Sequence, residues 1–185
     1  MVAKFRWKSS DLALLPEDGK RYETVDGELL VIRAPHSRHQ DVCGEVFYYL
    51  KVWLKKVGSG KVWFGPGVVF TDFDNVIPDV AWVSQERLPV AQDDGGHLLE
   101  APDLAVEVLS SGKKDVERDR NLKLRLYSIQ GVKEYWLIDW RAKKVEIYRR
   151  ESGRLALQMS LFEGDTLTSP LLAKFSCLVN LLFET

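Results

Sequence analysis

Two carboxylates sit inside apolar runs of this chain. Asp79 lies within Val76-Ile77-Pro78-Asp79-Val80-Ala81-Trp82-Val83, and Glu107 within Leu104-Ala105-Val106-Glu107-Val108-Leu109. An ionised group in such a run loses its hydration, which is costly. Two of them in one short segment point to a shared cation that offsets the cost. If both runs are strands, alternation puts Asp79 on the face of Ala81 and Glu107 on the face of Ala105. Each carboxylate then has a small neighbour, leaving room for a metal and a substrate. Downstream, Asp119, Lys123 and Tyr127 fall at i, i+4 and i+8 of an expected helix, along one side of it. Two acids and a lysine so placed suit metal-assisted phosphodiester hydrolysis. Carboxylates hold Mg²⁺, the metal activates a water, and the lysine orients that water or stabilises charge on the phosphate. Each residue also has a plainer reading. Asp79 could make a turn hydrogen bond, and Glu107 could pair with Arg21 or Arg33. Lys123 could bridge to Asp119, worth about 0.3–0.5 kcal/mol.

The elements that must position these residues are legible in outline. Both carboxylate runs are short, rich in β-branched residues and bounded by turn residues, so they read as buried strands. Arg21 to Val25 and Glu28 to Arg33 flank Asp26-Gly27, a pair that tolerates positive φ, and so form a hairpin. Pro35 ends it. Ser37 can cap a helix that runs to about Lys56, with Val42, Val46, Leu50, Trp53 and Val57 as its apolar stripe. His39 lies at the edge of that stripe, either as a hydrogen-bonded core-edge residue or as a site residue; His36 reads as surface. Lys61 to Phe64 and Val68 to Thr71 are short strands. Arg87 to Ala101 is rich in Pro, Gly and Asp and reads as a mobile solvent loop that could also cover the site.

A helix follows from about Lys113 to Gln130. Ser111 or Gly112 can cap it, Asp115 and Glu117 suit its positive end, and Leu122, Leu126 and Ile129 form its buried stripe. Lys123 on the flank can run over apolar surface and deliver its charge to a cleft. Gly131 ends the helix. Glu134 to Asp139 is the next core strand, parallel to the Glu107 strand across the helical crossover. Val145 to Arg149 and Leu155 to Leu161 form an added hairpin, and Leu171 to Phe183 an apolar tail. Between Ser110 and Arg125 stand Lys113, Lys114, Arg118, Arg120, Lys123 and Arg125, partly neutralised by Asp115, Glu117 and Asp119. A solvated helix face explains that run, and so does a phosphate-contacting one.

The 185 residues favour one domain, with 1–35 an N-terminal extension and hairpin, 36–140 a core and 141–185 an added hairpin and tail. A formal net charge of −1 argues against strong constitutive DNA binding over a large surface. Cys43 and Cys177 match no zinc spacing and read as reduced core thiols of a cytoplasmic protein. The first residues lack an apolar signal core, and the longest uncharged run, Val62 to Thr71, is too short to span a bilayer. Six tryptophans and the apolar tail are much apolar surface for this length. They point to a homodimer or higher homo-oligomer.

The ordered set Pro78-Asp79, Glu107-Val108-Leu109-Ser110, Asp119-x3-Lys123-x3-Tyr127 and Gly131-Val132-Lys133-Glu134-Tyr135-Trp136-Leu137-Ile138-Asp139 resembles the Uma family, within the PD-(D/E)XK superfamily of restriction-endonuclease-like nucleases. The likeness extends to Tyr22-Glu23-x3-Gly27-Glu28-Leu29, Pro35-His36-x2-His39 and Ser169-Pro170-Leu171, nearly the whole chain. Two departures stand out. Leu109 occupies the place of the superfamily's usual lysine, which the Uma pattern moves to the following helix, at Lys123. The glutamate strand is followed by Ser110-Ser111-Gly112 rather than Ser-Pro-Ser, in a loop about two residues longer. The resemblance implies an α/β restriction-endonuclease-like fold, a central mixed sheet flanked by helices, with an N-terminal hairpin. It also implies an Mg²⁺- or Mn²⁺-dependent endonuclease acting on nucleic acid, most simply DNA. Asp79, Glu107 and the Val108 carbonyl would hold the metal, and Lys123 would position water. Glu28 belongs to the family pattern as an auxiliary carboxylate, but read from the residues alone it is a hairpin surface residue. Two other readings stay open: cleavage of RNA or branched DNA, and a catalytically silent module that binds nucleic acid or protein.

Overall fold

A computed structural model gives the fold. It describes residues 5–110, 112 and 116–184, without the side chains of Val90 and Asp119. Ser111, Lys113, Lys114 and Asp115, read above as cap and charges of the crossover helix, lie outside the described residues.

The chain opens with a 3₁₀ turn, Ser9–Leu14, and the hairpin of β1 (Arg21–Val25) and β2 (Glu28–Ile32). Asp26 and Gly27 take φ of 51° and 74°, the left-handed pair that a tight two-residue turn requires. Helix α1 (Ser37–Lys56) follows. Its cap is His36, not Ser37: the His36 ring accepts from the Arg38 N–H at 3.1 Å and stacks on Trp140. Then come β3 (Lys61–Phe64), β4 (Val68–Thr71), β5 (Asp74–Val76), β6 (Val80–Val83), the single turn α2 (Leu88–Ala91) and β7 (Leu104–Val108). A π-helical segment, Arg118–Lys123, runs directly into α3 (Leu124–Gln130), which ends at Gly131 with φ 95°. Strands β8 (Glu134–Asp139), β9 (Lys144–Glu151), β10 (Arg154–Phe162), β11 (Thr166–Leu167) and β12 (Cys177–Leu178) and a 3₁₀ turn, Val179–Leu182, complete the chain.

The central sheet has six strands in the order β10-β9-β8-β7-β6-β3, and a second sheet has the order β2-β1-β5-β4. Within the central sheet β7 and β8 are parallel, joined across the helix, and every other neighbouring pair is antiparallel. The hairpin β9–β10 is therefore part of this sheet rather than an appendage. Alternation splits the strands between two cores. Val80, Trp82, Val106, Val108 and Trp136 face α1 and the C-terminal residues. Ala81, Val83, Ala105, Leu109, Tyr135 and Leu137 face α3 and the second sheet. A mixed sheet with a helix on each face matches the expected fold class. No helix among the described residues is long and apolar enough to cross a membrane.

The stretch 87–101 is largely exposed, as its composition suggests, but it is anchored at several points. Ala91 and Leu98 are buried, and Arg87 bonds the Asp103 and Glu100 carboxylates and the Ala101 carbonyl at 2.8–3.0 Å. Asp103 is the anchor, 1% exposed, also meeting the Ser84 N–H at 2.8 Å and the Lys133 ammonium at 2.6 Å. Burial alone would raise its pKa, but the bonds from Lys133, Ser84 and Arg87 outweigh burial and hold it below the ordinary 3.8. Its stabilisation is thus full above the ordinary aspartate range and is lost as pH falls through the lowered value. Asp103→Asn should lower stability by about 1–3 kcal/mol at pH 7 and flatten the loss on acidification. Urea midpoints at neutral and acid pH test this; a variant as acid-sensitive as the parent would contradict it.

Candidate active site

The site forms where β6 and β7 run side by side. Their register pairs Val80 with Val106 and Ala81 with Ala105, so Asp79, one residue ahead of β6, arrives beside Glu107 and Val108. Asp79 is not itself in a strand: Ile77-Pro78-Asp79 links β5 to β6. That leaves its side chain free to accept from the Val108 N–H, at 2.8 Å to Oδ2. His39 of α1 reaches the same oxygen with Nε2 at 3.4 Å. Asp79 is 13% exposed as a side chain. Burial alone would raise its pKa, but His39, the Val108 N–H and the Lys123 charge hold it below the ordinary value.

Glu107 is buried, and its Oε1 accepts from Lys123 Nζ at 2.9 Å and from the Tyr127 hydroxyl at 2.6 Å. Lys123 is only 2% exposed and also donates to Glu23 Oε1, at 3.1 Å. Glu23, on β1, is fully buried; its Oε1 accepts from the Ile77 N–H at 2.8 Å, and its Oε2 has no hydrogen-bond partner among the described residues. Burial, and then the charges of Glu107 and Glu23, push the Tyr127 phenol far above its ordinary pKa, so it stays neutral and donates.

The helix delivers Lys123 and Tyr127 on one face, four residues apart, as the i, i+4 spacing predicts. The π segment widens the turn up to Lys123, and α-helical spacing then carries the same face on to Tyr127. The buried face is centred on Lys123, Leu126 and Tyr127. Ile129 lies about 100° round from it and is 68% exposed, contrary to the expected stripe. The Asp119 side chain, the proposed partner of Lys123, lies outside the described residues.

A cleft of about 60 Å³ opens over this group, lined by Asp79, Glu107, Lys123 and His39, with Arg21, Arg33 and Arg118 around it. That space suits a few waters or a partly hydrated cation. Two buried carboxylates, Glu23 and Glu107, share the Lys123 ammonium, with Asp79 lining the same cleft as Glu107, and Glu23 Oε2 is buried and unsatisfied among the described residues. An oxygen-rich group with excess negative charge fits a hard divalent ion.

Of the residues expected at the site, Asp79, Glu107, Lys123 and His39 come together. Val108 contributes its N–H to Asp79. Glu28 does not join them: it starts β2, is exposed, and faces a separate groove with Phe5, Arg6 and Trp7. Among the described residues, Glu107 meets Lys123 and Tyr127 rather than the Arg21 or Arg33 considered for it. Sequence reasoning gave no site role to Glu23, although Tyr22-Glu23 belongs to the family pattern, nor to Cys43, read as a core thiol. Glu23 alternates with Tyr22 and Thr24 on β1, but the burial of that face depends on how the second sheet packs. Cys43 Sγ lies 3.4 Å from His39 Nδ1, one turn along α1.

A family model described as "Putative restriction endonuclease" matches residues 9–180. Among solved structures, the chain is similar to "a putative nuclease belonging to DUF820 from Anabaena variabilis ATCC 29413". The TM-score is 0.73 at 19% identity, covering 95% of this chain and 97% of that one. No curated protein matches the sequence. With the match spanning nearly the whole chain, and the fold and the ordered residues in agreement with it, the chain belongs to the Uma2 family.

Proposed function

We propose that this protein is a divalent-metal-dependent endonuclease that hydrolyses phosphodiester bonds in DNA. The observation that carries the reading is the buried Glu23–Lys123–Glu107 group beside Asp79, at the base of a cleft ringed by arginines. Asp79 and Glu107, with the Val108 carbonyl as a further ligand, would hold Mg²⁺ or Mn²⁺. The bound ion supplies Lewis-acid activation of water and neutralises phosphate charge. The chain's own residues do the rest. Val108 N–H and His39 fix the Asp79 carboxylate, while Tyr127 fixes Glu107. Lys123 presents an ammonium to the scissile phosphate and stabilises the charge that builds there. Arg21, Arg33 and Arg118 meet flanking phosphates at the mouth, which gives a local basic strip on a chain of net charge −1.

The test is incubation with supercoiled plasmid, single-stranded DNA and RNA, with and without Mg²⁺ or Mn²⁺. Metal-dependent nicking of plasmid is expected. Cleavage of RNA alone would reassign the substrate, and no cleavage with any ion would leave a nuclease fold that binds without cutting.

A homo-oligomer, most simply a two-fold dimer, goes with this reading because cutting both strands calls for two sites. The tryptophan argument for it is weaker than composition suggests, since Trp53, Trp82 and Trp136 are buried within the fold. The better support is β10, an edge strand with Leu157, Met159 and Phe162 38–53% exposed. Light scattering at micromolar concentration should give twice the chain mass, and a monomer would rule this out.

A further inference from the structure

His39 and Cys43 stand four residues apart on α1, and so present their side chains one above the other on one face. The link before β6 brings Asp79 against that face. Cys43 Sγ lies 3.4 Å from His39 Nδ1, and His39 Nε2 lies 3.4 Å from Asp79 Oδ2. One ligand atom from each of the three residues falls within 4.8 Å of the others. In a tetrahedral ion with bonds of about 2.0–2.3 Å, ligand atoms are separated by roughly 3.3–3.7 Å. The cluster is therefore within about 1–1.5 Å of a three-ligand metal geometry. Cys43 is fully buried, and His39 is 6% exposed. His39 and Asp79 line the cleft, whose open side offers a fourth position to water.

We propose that His39, Cys43 and Asp79 form a second site, selective for a thiophilic dication of the Zn²⁺ or Cd²⁺ class. The donor set decides the selectivity. Sulfur and imidazole ligands suit Zn²⁺ and Cd²⁺ and are poor for Mg²⁺, which demands oxygen. His39 here turns one nitrogen to each neighbour. Coordination uses one of them, and a rotation of the Cys43 side chain about its χ1 brings sulfur to the same ion. The thiol proton leaves to solvent as the thiolate–metal bond forms. Asp79 is common to this cluster and to the oxygen-rich group at Glu107, so a soft ion here competes for Asp79. Binding at this site stands independently of the nuclease reading. Its consequence, inhibition of Mg²⁺-dependent cleavage by Zn²⁺, rests on that reading.

The experiment titrates metal-free protein with Cd²⁺ in a Cys177→Ser background, which leaves Cys43 as the sole thiol. A thiolate-to-cadmium charge-transfer band saturating at one ion per chain is expected. It should vanish in Cys43→Ala, and His39→Gln should weaken binding by at least about 10-fold. Circular dichroism confirms that each variant is folded, and the titration of the parent alone needs no variant. Absence of the band in the Cys177→Ser protein, or Cd²⁺ affinity unchanged in folded His39→Gln, overturns the site. A parallel assay of Mg²⁺-dependent cleavage separates the two claims. A band without cleavage supports the soft site while the nuclease reading fails. Cleavage without a band removes the soft site and leaves the nuclease reading intact.

Discussion

Lys123→Met should lose about 3–5 kcal/mol of folding stability and, in protein that remains folded, at least about 100-fold in cleavage rate. The two losses have separate causes. The ammonium is nearly fully buried and is shared by Glu23 Oε1 and Glu107 Oε1, themselves 0% and 3% exposed as residues. Its removal leaves two buried carboxylates repelling each other, which is the expensive way to break such a group. The catalytic loss follows from removing the lysine at the base of the cleft. Double variants separate the causes. Lys123→Met with Glu23→Gln should recover part of the stability, because one of the stranded charges goes, while cleavage stays lost. Added Mn²⁺ should raise the melting temperature of Lys123→Met more than that of the parent, since a dication replaces the missing charge. A Lys123→Met protein with parental stability and parental cleavage would contradict both parts.

Glu107→Gln and Asp79→Asn should each abolish metal-dependent cleavage and weaken Mn²⁺ affinity, but their effects on metal-free stability should differ. Glu107→Gln keeps an oxygen for Lys123 and Tyr127 and leaves Glu23 and Lys123 as a neutral pair. Stability should hold level or rise. Asp79 is held ionised below its ordinary pKa, so it stabilises the fold above the ordinary aspartate range, and that contribution is lost as pH falls through the lowered value. Asp79→Asn should therefore cost about 1 kcal/mol at neutral pH. Metal calorimetry and urea unfolding measure the two effects. Unchanged Mn²⁺ affinity with a large stability loss in both variants would make these carboxylates structural ion-pair members only.

How far the sequence reveals this site depends on what each residue's position rests on. Glu107 was legible because strand alternation and buried β-branched runs are local signals, and Asp79 because it immediately precedes the apolar β6 run, whose register with β7 carries it beside Glu107. The Asp26-Gly27 turn and the stop at Gly131 were legible because positive φ narrows the choice of residue. Glu23 was not, since its burial is created by the second sheet and by Lys123 arriving from a hundred residues away. Ile129 was misassigned because the expected stripe runs through Leu126 and Ile129, whereas the buried face of the helix is centred on Lys123, Leu126 and Tyr127, about 100° away from Ile129. In the 87–101 stretch, Pro, Gly and Asp suggested a mobile loop. Its order comes from the buried Asp103, whose partners Arg87 and Lys133 are distant in sequence.

The central claim, that the acid–lysine group beneath the arginine-ringed cleft cleaves nucleic acid with a metal, has a direct measurement. Supercoiled plasmid is incubated with metal-free parent and with folded Glu107→Gln at equal concentration, and Mn²⁺ is added to half of each. The account predicts nicked or linear plasmid in the parent with Mn²⁺ and intact plasmid in the other three reactions. Equal cleavage by the parent and Glu107→Gln, or cleavage by the parent without any metal, would contradict it.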